Sequence, residues 1–187
     1  MLDFWPHRFV RDLDALDAVL LTAKLTPCPH CRRTGMLIGH GLLWGYAERG
    51  CETVVRGRRL ICSKRGRRTG CGRTFSVRLS NIIAGFTVRT NTLSRMLTAV
   101  TLGKSLRSFW QAERPLGLCL RSGYRLWRRL LCAQPLLRTA LHSKAPAPPN
   151  DDSQPFAQLF AHLHSVLGTS DCVLGAFQHE FQRGLFG

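Results

Sequence analysis

Residues 28–31 read CPHC and residues 56–77 read RGRRLICSKRGRRTGCGRTFSV, and the reading of these two stretches decides the fold. Cys28 and Cys31 stand two residues apart, so a tight turn aims both thiolates at one ion. Cys62 and Cys71 form a second pair, separated by the eight residues SKRGRRTG. The whole spacing is C-x2-C, then 30 residues, then C-x8-C. Four thiolates saturate tetrahedral Zn2+ and leave no open position, which predicts a structural rather than a catalytic ion. The second gap exceeds the usual one of about two to four residues, so an Arg-rich loop must bulge between the ligands. Gly66, Gly70 and Gly72 make such a loop feasible. His40 and Cys51 are rival ligands for the second pair, and His30 lies inside the first. Cys119, Cys132 and Cys172 fall in helical patterns and read as core or cap residues.

Outward from this region the pattern predicts an α+β chain. Residues 26–80 are rich in Gly, Cys and Arg, with β-like pieces at Met36–Ile38, Glu52–Val55, Arg59–Cys62 and Thr74–Val77. Such a segment has too few apolar residues to hold itself together by burial alone. Before it, residues 12–24 read as a short helix with Leu13, Leu16, Val19 and Leu20 on one face, ended by Pro27. After it, residues 91–141 have helical periodicity, with helices expected at about 91–101, 105–113 and 120–132 and a further turn or short helix over 135–141. Residues 143–155, SKAPAPPNDDSQP, read as a Pro-stiffened linker. Phe156, Leu159, Phe160, Leu163, Val166 and Leu167 then mark an amphipathic helix, and Leu174, Phe177 and Phe181 a last one, in a C-terminal helical segment 156–187.

Charge narrows the partner. Lys and Arg number 27 against 11 acids, for a net charge of +16. Residues 49–129 hold 19 basic residues and only two acids, Glu52 and Glu113, so one block carries the whole excess. A surface tuned for solubility mixes signs, whereas a segregated one suits a polyanion. Arg dominates over Lys, and a guanidinium forks onto phosphate or onto guanine O6 and N7 as an ammonium cannot. Acidic lipid and acidic protein are the lesser alternatives. The N-terminal residues include Asp3, Asp12, Asp14 and Asp17 in place of a basic start and an apolar run, so no secretory signal is expected. No apolar stretch reaches the roughly 18 residues of a membrane span. In a cytoplasmic chain close Cys pairs point to metal rather than to disulfides.

The order CPHC, RGRRLIC, GCGRTFSV resembles the zinc ribbon at the front of insertion-sequence transposases, over roughly residues 26–78. The segment LGKSLRSFWQAERPLGLCLRSGYRLWRRL resembles the helix-turn-helix that follows such ribbons. The resemblance implies Cys28, Cys31, Cys62 and Cys71 as Zn2+ ligands. It places Gly103 and Ser105 at the opening of the first helix, Gly117 in the turn and Cys119 at the cap of a recognition helix 120–132. It also implies a bacterial mobile element and a cytoplasmic, nucleoid-associated protein.

In that arrangement the first turns of the recognition helix meet base edges. Arg121, Ser122 and Arg125 are expected at bases, and Tyr124, Arg128 and Arg129 at backbone or bases. Leu120, Leu126, Leu130 and Leu131 are expected to pack inward, with Trp127 a further candidate. Arg65, Arg67, Arg68 and Arg73 are expected to contact phosphates, which adds affinity without sequence preference. No catalytic residue is expected. Two-metal nuclease chemistry needs carboxylates, and none lies between Glu52 and Glu113. His162-Leu163-His164 spells a nicking-enzyme motif, but it falls inside a helical pattern, and the tyrosines are Tyr46 and Tyr124 alone. The expected function is sequence-specific binding of double-stranded DNA, as an accessory or regulatory factor to a separate transposase or recombinase, with a homodimer as one possible form. The alternatives are the DNA-binding part of a transposase whose catalytic part lies elsewhere, and an RNA-binding protein.

Overall fold

Asp12 sets the start of the first helix. Its carboxylate accepts from the Ala15 backbone N–H at 2.8 Å, and Asp14 in the first turn adds favourable charge at the positive end. In the computed structural model, which describes residues 8–113, 119–149, 155–168, 170 and 172–186, this helix is α1, Leu13–Thr22, running into a 3-10 turn at Ala23–Leu25. Leu16 and Val19 are buried and Leu20 is half-buried, but Leu13, expected on the same face, is 51% exposed.

A four-stranded sheet has the order β1-β4-β3-β2, with β1 at Phe9–Val10, β2 at Leu37–Tyr46, β3 at Thr53–Cys62 and β4 at Thr74–Leu79. β3 and β4 form an antiparallel hairpin, in register from Gly57 opposite Arg78 to Ile61 opposite Thr74. β1 adds in parallel on the far side of β4. The pieces expected at Glu52–Val55 and Arg59–Cys62 are thus one strand. The Arg56-Gly57-Arg58 interruption stays extended because the ladder to β4 pairs through it. α1 covers one face of the sheet: it packs on β4, Arg58 of β3 pairs with Asp17, and Gly39 of β2 lies beneath Leu20. Leu37, Leu60, Val77 and Leu79 are buried.

The chain divides into two units by its contacts. The first is Met1–Gly45 with Thr53–Ser80, and the second is Tyr46–Glu52 with Asn81–Gly187. The segment expected as an N-terminal helix falls in the first, while the segment expected as a ribbon, 26–80, is divided, with residues 46–52 in the second. The helical region and the C-terminal segment fall in the second.

The second unit packs five helices: α2 Thr90–Thr101, α3 Leu106–Ala112, α4 Leu120–His142, α5 Pro155–Leu167 and α6 Val173–Phe181. Ser105 caps α3 by accepting from the Ser108 N–H. Gly123 lets α3 and α4 close together, since a Cβ there would stand 2.8 Å from the Trp110 ring. Leu126, Leu130, Ala133, Leu137, Ala140 and Leu141 form one buried stripe along α4. This stripe runs on through Pro135, so the segment expected as a separate turn or short helix continues the same helix. A mid-helix Pro costs about 3 kcal/mol, which burial of Leu137 and Leu141 at about 2 kcal/mol each offsets. Leu131, expected inward, is 43% exposed, because it falls off this stripe. Cys132, expected as core or cap, is exposed as well. Gly117 and part of the expected linker lie outside the described residues. No helix among the described residues is long and apolar enough to cross a membrane.

Candidate functional site

The hairpin β3–β4 explains how two cysteines eight residues apart come together. Its loop is pinched at the neck. The Cys62 N–H donates to Arg73 O at 2.9 Å, the Gly72 N–H to Cys62 O at 2.8 Å and the Gly70 N–H to Ser63 O at 2.9 Å. Cys62 and Cys71 therefore sit side by side while residues 64–69 loop outward. On the other side, a turn closed by Cys28 N to Arg33 O and Arg32 N to Cys28 O places Cys28 and Cys31. The Arg33 guanidinium donates to Thr69 O, tying this turn to the loop.

The four Sγ atoms all lie within 4.8 Å of one another. Cys28 and Cys71 are 3.8 Å apart at sulfur, and Cys31 and Cys62 are 3.6 Å apart. A disulfide would need about 2.05 Å. A tetrahedron with Zn–S bonds of about 2.3 Å has S···S edges of about 3.8 Å. The site can therefore hold one metal ion, and its donor set and spacing fit Zn2+. Two backbone donors are already aimed at the sulfurs: His30 N–H to Cys28 Sγ at 3.4 Å and Cys71 N–H to Cys62 Sγ at 3.2 Å. Such contacts favour the thiolate form and orient the ligand. His30, His40 and Cys51 are exposed and lie outside the cluster.

The thiols differ electrostatically. Burial pushes Cys62 up to about 12 and also raises Cys28. The Arg33 backbone N–H holds Cys31 down at about 7. A cation replacing the thiol protons removes the burial penalty by supplying the missing positive charge.

Around this centre the loop presents Lys64, Arg65 and Arg67 to solvent, with Arg68 half-buried and Arg73 exposed beyond Cys71. The second basic surface is on α4. The helix contains no acid, and opposite its buried stripe it exposes Arg121, Tyr124, Arg125, Arg128 and Arg129. These five and Cys132 line one open cavity of about 590 Å3. Ser122 is not among them. It is half-buried, and its hydroxyl lies 3.5 Å from the Cys119 thiol. That hydroxyl lowers the Cys119 pKa from the usual thiol range. Cys119 occupies the N-cap position of α4 but makes no side-chain cap bond.

One feature of this surface carries no sequence signal. The Arg125 and Arg129 guanidiniums lie over the Phe86 ring, at 5.7 and 6.0 Å from its centroid. Cation–π stacking restrains both side chains. Arg121, Tyr124 and Arg128 complete the exposed basic face. Phe86 lies between Gly85 and Thr87 in the loop from β4 to α2, so no helix or strand periodicity marks it.

The His-Leu-His triplet lies within α5. His162 is buried with its Nε2 2.9 Å from Ala145 O and its ring edge on His142, and Leu163 is buried beside it. Tyr46 and Tyr124 are both exposed. No protein-family model, curated protein or solved structure matches this chain.

Proposed function

We propose that this chain binds double-stranded DNA without catalysing a reaction of its own, with one structural Zn2+ held by Cys28, Cys31, Cys62 and Cys71. The observation that carries the DNA reading is the outer face of α4: four arginines and a tyrosine on one acid-free surface, backed by a buried apolar stripe. A helix about 12 Å across with its side chains fits the major groove, and Arg forks match guanine edges and phosphates.

The metal would cross-link the turn at residues 28–33 to the neck of the β3–β4 hairpin. The residues themselves do the binding. Arg65, Arg67 and Arg68 neutralise phosphates and give affinity that salt weakens. Arg121 and Arg128 reach base edges, and Tyr124 reaches backbone or base. On this reading the chain is a transposase-type zinc ribbon and helix-turn-helix, acting as an accessory or regulatory factor of a mobile element.

The test is zinc quantitation on the purified protein, followed by selection of bound sequences from a random duplex pool. The reading expects one Zn2+ per chain and an enriched motif. Metal-free protein sinks the zinc assignment. Preference for structured RNA over duplex at fixed salt sinks the DNA assignment.

A further inference from the structure

α1 covers one face of the sheet, and the strand alternation fixes which side chains turn to the other. Gly39 faces Leu20 and Arg58 pairs with Asp17, so odd positions of β2 and even positions of β3 look toward α1. His40, Leu42 and Trp44 of β2, and Arg59 of β3, therefore point outward. Trp44 is 60% exposed and Leu42 37%, and His40 and Arg59 are exposed too.

A large indole in water loses the burial that a core site would give it. The charge around this one is one-sided. The first unit holds fourteen basic residues against four acids, and the acids are Asp3, Asp12, Asp14 and Asp17. No acid lies anywhere in Thr53–Ser80, and Asp17 is engaged with Arg58 on the covered side. The outward face is an aromatic and aliphatic surface on a mainly basic unit, with Glu48 and Glu52 the acids of the β2–β3 turn. An acidic, base-bearing chain matches both properties.

We propose that this face, centred on Trp44 with Leu42 beside it and with Arg59 further along the same face across from His40, binds unpaired bases of single-stranded nucleic acid. In a duplex the base faces are covered by their neighbours, so a flat indole on a sheet has nothing to stack on. An unpaired base offers its π-face to Trp44, and Arg59, further along the face, takes a phosphate of the same strand. The proposal extends the nucleic-acid reading above, but it uses different residues from the α4 surface. A protein with both surfaces would hold duplex and exposed strand at the same time.

The experiment uses the full-length, zinc-loaded chain with three probes: a 20-nucleotide oligo-dT, an oligo-rU of the same length, and a 20-base-pair duplex. Trp44→Ala is expected to weaken binding to the single strands roughly tenfold, the size of one lost base–aromatic stack, and to leave duplex binding unchanged. Trp44→Phe keeps a ring on the same fold and is expected to retain most of the affinity. Indole fluorescence of the wild type is expected to be quenched by oligo-dT, and the quench to disappear in Trp44→Phe. A preference between dT and rU identifies the source of the strand, and either preference agrees with the proposal. Arg128→Ala is expected to do the reverse, losing duplex and keeping single strand. Duplex binding absent with the strand binding intact would sink the α4 reading alone. Single-strand affinity unchanged in Trp44→Ala overturns the stacking face. So does equal loss on strand and duplex, or a wild-type dimer that Trp44→Ala disperses.

Discussion

A Cβ at position 70 would stand 2.3 Å from Ser63 O and 2.7 Å from Cys62 Sγ. The first neighbour is backbone within the neck of the hairpin and cannot swing aside, so Gly70→Ala must pry Cys71 away from Cys62. Zinc affinity is expected to fall at least about tenfold in a chelator competition, which is about 1.4 kcal/mol. Gly66, at the loop tip with φ of 64° and open space around it, is the control. Its substitution meets only the left-handed backbone penalty of about 1 kcal/mol and should leave metal binding intact. The thiols add a pH dependence whose sign is fixed. Cys62, pushed up to about 12, and Cys28, also raised, are protonated at neutral pH before a cation arrives. Zn2+ must displace those protons, so raising the pH favours the metal and lowering it releases the metal. Apparent affinity should drop steadily between about pH 8 and about pH 6 in the same competition. A flat profile would mean that the thiolates are not the ligands.

Helix α4 shows what an element adds to its residues. Arg121, Arg125, Arg128 and Arg129 are alike in sequence, yet two of them stack on Phe86. Arg128→Ala is expected to relax preference at one base position in selection from a random duplex pool. Arg125→Ala is expected to lower affinity on all sequences by a smaller factor, since part of its energy goes to the ring. Equal loss on cognate and random duplex for Arg128→Ala would remove α4 as the reading element. The same helix marks the limit of what the sequence discloses. The Cys cluster was legible because ligand spacing is local chemistry, and Leu126 and Leu130 because 3.6-residue periodicity is local too. Pro135 suggested a break, and only the burial of Leu137 and Leu141 keeps the helix whole. Gly57 split β3 in the same way, and the pairing with β4 that overrides it is not visible in β3 alone. β1 has two residues and pairs with a strand nearly seventy residues away, so nothing local announces it. No local pattern marks Trp44, since only the pairing of β2 in the sheet decides which side it faces.

At the scale of the molecule the two basic surfaces differ in what they can contribute. The first unit holds its loop arginines beside the four-cysteine cluster, where the Arg33 guanidinium donates to Thr69 O and the neck hydrogen bonds fix the loop base. The second holds α4 by a core of aliphatic and aromatic side chains from all five helices and needs no metal to form. Loop contacts to phosphate release counterions, and base contacts do not. Arg65, Arg67 and Arg68, each on a phosphate, give a slope of log K against log salt of about −2.7. A rise from about 50 to about 200 mM salt would then cost about fortyfold in affinity. Replacing Arg65, Arg67 and Arg68 together by Ala is expected to flatten the slope by about 2.7, by the same amount on cognate and random duplex. The ratio of cognate to random affinity should stay where it was, because those residues carry position and not sequence. The measurement is fluorescence anisotropy on both duplexes across the salt range. An unchanged slope would mean that the loop does not touch the backbone, and a fall in the cognate ratio would mean that it reads bases.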